Sequence, residues 1–100
     1  MHAVINHLPI KSGTDWAELG RNFDSFQSSI GHSDFLGAGL IRATDTEGIV
    51  FVLFKSREAL DEVSKNIAGP WFAEHMRPHL AGPASRSVGE VVGGGLAASR

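Results

Sequence analysis

The stretch Gly48 to Phe54, GIVFVLF, is the most continuously apolar run in the chain. A short apolar run with no polar alternation reads as a β-strand in the middle of a sheet, covered on both faces. Such a strand needs a partner on each side and an apolar layer above and below, so the rest of the chain must supply both. His2 to Ile10 supplies one partner, with Val4, Asn6, Leu8 and Ile10 on one face and Ala3, Ile5 and His7 on the other. Pro9 marks its exit from the ladder, and His7 is expected to face the helices in a structural role. Phe35 to Ala43 supplies a second partner, whose Gly37 and Gly39 point to a bulge or a close approach by another group. Thr44 to Gly48 is the hairpin connection into the apolar strand.

Two helices can provide the covering layer. Lys11-Ser12-Gly13 turns the chain, Thr14 or Asp15 can cap a helix, and with Asp15 as cap Glu18 occupies the capping-box position. Trp16, Leu19, Phe23, Phe26 and Ile30 then form one apolar stripe, with Gly31 as the stop. The second helix has Ser56 at its N-cap, Glu58 in its first turn, and Leu60, Val63 and Ile67 at helical spacing. Gly69-Pro70 punctuates it, and a dense segment follows: Trp71, Phe72, His75, Met76, Arg77 and His79. Gly82-Pro83 breaks the chain again, Ser87 to Val92 reads as a last strand, and residues 93–100 read as a flexible tail.

The order βαββαβ over residues 1–92 predicts one α+β domain, a ferredoxin-like sandwich with both helices on one face of a four-stranded antiparallel sheet. Two helices cover only one sheet face, yet the strands carry apolar residues on both. An open face of this kind exceeds the apolar patch that soluble monomers usually tolerate. Pairing two sheets face to face removes it, which predicts a homodimer.

Composition narrows the chemistry. The formal charge of -2, with acids and bases interspersed, provides no basic stripe for nucleic acid and no polybasic arm for a lipid surface. No apolar run is long enough to span a bilayer, and the first residues lack the layout of a signal peptide, so no membrane partner and a cytoplasmic location are expected. Cysteine and tyrosine are both absent, which removes thiolate and phenolic chemistry. His75 and His79 have the four-residue spacing of paired metal ligands, but Pro78 lies between them and no third ligand accompanies them, so no metal site is expected.

The opening strand with Asn6, the strand end VLFKSREAL and the following NIAGPWFAEHMRPHL give the chain a resemblance to the dimeric α+β barrel superfamily. Within that superfamily it resembles the antibiotic-biosynthesis-monooxygenase-like group, over residues 2 to 92. The resemblance implies a dimeric barrel made of two paired sheets, and it implies one of two activities. The cofactor-free monooxygenases of the group oxidise anthrone- or quinol-like aromatics with molecular oxygen, using an Asn, a Trp and an Arg, for which Asn66, Trp71 and Arg86 are the loose matches. The haem-degrading branch uses an Asn on the first strand, a Trp on the second helix and a histidine on iron. Asn6 and His75 match there by position, while the place of that Trp falls near Val63.

The residues themselves point to compatible chemistry. A polar amide on an apolar strand face costs free energy unless it is hydrogen-bonded, which singles out Asn6. Amides, an indole N–H and a guanidinium can hold a developing oxyanion, and an imidazole can accept a proton near neutral pH. The expected catalytic set is therefore Asn6, Trp71 and His75, with Asn66, Phe72 and Arg86 binding substrate. Trp71 and Phe72 can equally seal the end of the core, and Arg77 and Arg86 can be salt-bridge partners at the surface or an interface. The leading reading is a cofactor-free monooxygenase acting on a flat aromatic molecule. The alternatives are a haem protein with His75 on iron, and a non-catalytic dimeric binding or stress-related module.

Overall fold

The structure, a computed structural model, describes residues 1–94; most of the expected 93–100 tail lies outside the described residues. The elements run β1 (His2–Pro9), α1 (Trp16–Ser28), β2 (Phe35–Thr44), β3 (Glu47–Phe54), α2 (Arg57–Val63), a π-helical turn (Ser64–Ala68), α3 (Gly69–His75), a 3-10 turn (Arg77–His79) and β4 (Ser85–Glu90). The strands form one four-stranded sheet in the order β2-β3-β1-β4, antiparallel throughout. This is the ferredoxin-like α+β arrangement, and the apolar run GIVFVLF is one of its two inner strands.

Alternation divides β3 between two environments. Val50 and Phe54 are buried against the helices together with Val4 and Leu8 of β1, Leu19, Phe23 and Phe26 of α1, Leu60 and Val63 of α2, and Met76. Ile49, Phe51 and Leu53 point the other way, beside Ile5 of β1, and are half-buried. His7 pairs with Ile49 on this second face and is exposed, so the expectation that it faces the helices is corrected: it follows the odd-numbered alternation of its strand. On the same face the ring of Phe51 lies across Gly39, where a Cβ would sit 2.4 Å from the ring carbon. Only glycine admits that aromatic contact.

The helix ends are set by side chains. Asp15 caps α1 by accepting from the Glu18 N–H at 3.1 Å, and the Trp16 indole N–H donates to the Asp45 carbonyl at 3.0 Å, tying the start of the helix to the β2–β3 hairpin. The helix stops at Ser28 rather than at Gly31, because the Ser28 and Ser29 hydroxyls donate to the Asp24 and Phe26 carbonyls at 2.5 and 2.7 Å and satisfy its last turn. Ile30 is nevertheless buried in the core.

Ser56 caps α2, accepting from the Ala59 N–H at 3.2 Å while its hydroxyl donates to the Asp34 carboxylate at 2.8 Å. Ser56→Ala removes both bonds and is expected to lower unfolding free energy by about 1–2 kcal/mol. Urea denaturation checks this; an unchanged midpoint contradicts it.

The break expected at Gly69-Pro70 is instead a change of helix type. Pro70 has no N–H to donate to the preceding turn, and the helix absorbs this by widening: the Gly69 N–H donates to the Ser64 carbonyl, five residues back. Helical conformation therefore continues through the proline to His75. β4 begins two residues earlier than expected, at Ser85, where Arg86 pairs with Asn6 of β1. Among the described residues no helix is long and apolar enough to cross a membrane.

Candidate active site

Between the sheet and the helices lies a cavity of about 380 Å³. Val4, Val50, Val52 and Phe54 form its sheet side, Phe23 and Phe26 of α1 and Trp71 and Phe72 of α3 form its aromatic walls, and Ser64, Ala68 and Gly69 line it from the π-helical turn. The widened turn presents small residues here, and this leaves the volume unfilled. Gly69 is required for it: a Cβ at that position would stand 2.8 Å from the Ser64 carbonyl oxygen. Gly69→Ala is expected to cost about 1–3 kcal/mol and to weaken binding of any ligand held in the cavity. Urea unfolding and ligand titration on the purified variant test this, and wild-type values in both contradict it.

Polar groups enter this apolar space at few points. Asn6 reaches it from β1, flanked in the ladder by Val50 of β3 and Arg86 of β4. Among the described residues the Asn6 amide makes no hydrogen bond within the protein, so both its donor and its acceptor are available to a ligand. Arg86 also lines the cavity, and its guanidinium reaches Ser64 Oγ at 3.5 Å. Arg77 lines it from the 3-10 turn. Among the described residues, no carboxylate and no imidazole is in the lining.

Trp71 is held by its neighbours. Its ring stacks on Phe26 with centroids 4.3 Å apart and 18° between planes, meets Phe23 edge-on at 6.0 Å, and stacks on His75 at 5.3 Å. His75 lies outside the cavity, in a separate recess of about 290 Å³ formed with Asn22, Ser25, Ser29, Phe26 and Trp71. Its Nε2 is 3.8 Å from the Glu74 carboxylate. Asn66 is exposed on the π-helical turn and does not line the cavity.

Of the six expected site residues, the structure thus brings Asn6, Trp71, Phe72 and Arg86 together and leaves Asn66 and His75 outside. Sequence reasoning missed Ser64, Arg77 and the role of Phe26. Phe26 carried only the signal of a helix stripe, and Arg77 that of a surface cation. The signal for Ser64 was the Pro70 six residues beyond it, whose missing donor accompanies the wider turn that Gly69 closes onto Ser64. Among the described residues no group of three or more His, Cys, Asp or Glu side chains is placed to hold a metal ion.

No family model matches the sequence, and no curated protein matches it. Solved structures do. SnoaB, a cofactor-independent oxygenase from Streptomyces nogalater, is 12% identical in a variant form that aligns with 93% of this chain and 94% of its own, at a TM-score of 0.73. A putative antibiotic biosynthesis monooxygenase from Caulobacter crescentus is 18% identical over 92% of this chain and 90% of its own, at a TM-score of 0.72. The chain has the antibiotic-biosynthesis-monooxygenase-like fold.

MhuD shares that fold: a variant with two manganese protoporphyrin IX molecules bound per active site is 27% identical, over 95% of this chain and 100% of its own, at a TM-score of 0.70. The antibiotic-biosynthesis-monooxygenase-like fold thus includes both a cofactor-independent oxygenase and a porphyrin-binding protein.

Proposed function

We propose that the chain is a cofactor-independent monooxygenase that oxidises a flat, electron-rich aromatic in the cavity between sheet and helices, and that it works as a homodimer paired through the open sheet face. The unpartnered Asn6 amide, beside Arg86 in a mostly apolar cavity, carries this reading. The amide is half-buried and makes no bond within the fold among the described residues, so a ligand oxygen at that point gains a donor that nothing in the protein competes for.

The chemistry needs little from the protein. An anthrone-like substrate loses a proton from its methylene carbon to give an enolate, which reduces oxygen itself. Carbon–oxygen bond formation yields a hydroperoxide, and loss of water leaves the quinone, so one O₂ converts the methylene group to a carbonyl and one water. Asn6 and Arg86 hold the enolate oxygen, and their fixed dipoles favour the anion most in a space that excludes water. The stacked pair of Trp71 and Phe26, with Phe72, forms the aromatic wall that faces the ring system across from the sheet. With no imidazole or carboxylate among the described lining residues, the proton leaves to solvent at the cavity mouth. His75 supports Trp71 from behind.

The test is oxygen uptake by the purified, chelator-treated protein supplied with anthrone. The expected result is saturable uptake of one O₂ per anthraquinone formed, above the spontaneous rate. Uptake no faster than in buffer rejects the reading.

The similarity to MhuD supports a second reading, haem binding. The residues present do not fit it: the His75 imidazole lies against Trp71 outside the cavity, with Nε2 turned to Glu74. A hemin titration with His75→Ala in parallel decides the point. No specific Soret band is expected; a saturable band lost in the variant favours haem.

A further inference from the structure

We infer that the ligand of this cavity carries a carboxylate in addition to its reacting oxygen, and that Arg77 is the residue that selects for it. The inference rests on the reading of the cavity as a site for a flat aromatic molecule. It begins from a charge imbalance: among the described residues the cavity lining contains two guanidiniums, Arg77 and Arg86, and no acidic side chain. Among the described residues neither arginine forms an ion pair; the arginine pairs present are Arg42–Asp45 and Arg57–Asp61, both elsewhere on the surface. Both arginines are exposed residues that border the cavity, and the enolate oxygen beside Asn6 and Arg86 answers only one of their guanidiniums.

The placement of Arg77 is built in. It follows Met76, which is fully buried at the end of α3, and precedes Pro78, which restricts the backbone of both residues. Its carbonyl accepts the Leu80 N–H at 3.1 Å and its turn is closed by the His79 N–H donating to the Met76 carbonyl at 2.9 Å. The short 3-10 turn therefore delivers the side chain to the cavity from the end of α3, whereas Arg86 enters from β4. Ala84, also in the lining, adds little side-chain bulk on the approach to β4. A planar guanidinium with parallel N–H donors matches a carboxylate in a two-point contact. A carboxylate borne on the aromatic body is the anion that fits an apolar cavity with a cation at its edge.

The experiment compares anthraquinone-2-carboxylate with its neutral isostere anthraquinone-2-carboxamide, by calorimetric titration of the wild type, Arg77→Gln and Arg77→Lys, each checked for folding by circular dichroism. The wild type is expected to bind the carboxylate at least tenfold more tightly than the carboxamide. Arg77→Gln is expected to bring that ratio close to one, and Arg77→Lys to restore part of it. Equal wild-type affinity for the two probes overturns the inference while leaving the aromatic site intact. A preference that survives in Arg77→Gln also overturns it, by assigning selection to another residue. If neither probe binds, the cavity reading itself fails, and the inference with it.

Discussion

Asn6→Leu is expected to lower the rate of oxygen uptake by about 10²–10³-fold, the usual consequence of removing one oxyanion donor, while leaving thermal stability unchanged or higher. The two halves of that result belong together. An amide kept for packing loses hydrogen bonds when replaced and destabilises the protein. The half-buried Asn6 amide has no hydrogen-bond partner within the protein among the described residues, so exchanging it for an apolar side chain of similar size breaks no bond of the fold. A site held ready for a ligand shows this opposition between stability and activity. Parallel measurement of kcat/KM and Tm checks it; a large drop in Tm with activity retained assigns Asn6 to structure instead.

Phe51→Glu is expected to convert the proposed dimer to monomer. Ile5, Ile49, Phe51 and Leu53 are half-buried on the face away from the helices, and Ile41 on the same face remains 44% exposed. Two such faces packed at about 10 Å bury one another. A carboxylate at position 51 sits amid those apolar side chains with no counter-ion, a penalty of several kcal/mol that shifts the association constant by more than 10²-fold. Within each chain the substitution also removes the Phe51 ring from Gly39, so Ile5→Lys, which leaves that contact alone, serves as the second variant. Sedimentation velocity over a dilution series reads both. A wild type that is already monomeric, or variants that stay dimeric, contradicts the proposed pairing.

Strand and helix order was legible in the sequence because alternation and stripe patterns are local. GIVFVLF showed an inner strand without reference to anything else, and Trp16 to Ile30 showed a helix face by spacing alone. Asn6 stood out because its neighbours on that strand face, Val4 and Leu8, are both apolar. The π-helical turn was hidden because Gly-Pro usually ends a helix, and only the packing of Ala59, Leu60, Val63 and Met76 into one core makes it favourable to continue through Pro70. The position of His75 depended on that turn, since a widened turn rotates every residue after it. Without the rotation, sequence spacing could not place Trp71 between His75 and the cavity. Arg77 was hidden for a related reason: its charge suggests surface, and its access to the cavity comes from the buried Met76 that precedes it.

In the proposed function the cavity holds a flat aromatic molecule with its oxygen on Asn6. A crystal structure of the protein grown with anthraquinone-2-carboxylate tests it most directly. The ring system is expected between Trp71 and the sheet residues Val50 and Val52, with a quinone oxygen within hydrogen-bonding distance of the Asn6 amide. Ligand found instead in the outer recess against His75, with the cavity empty or filled by the side chains around it, would contradict it.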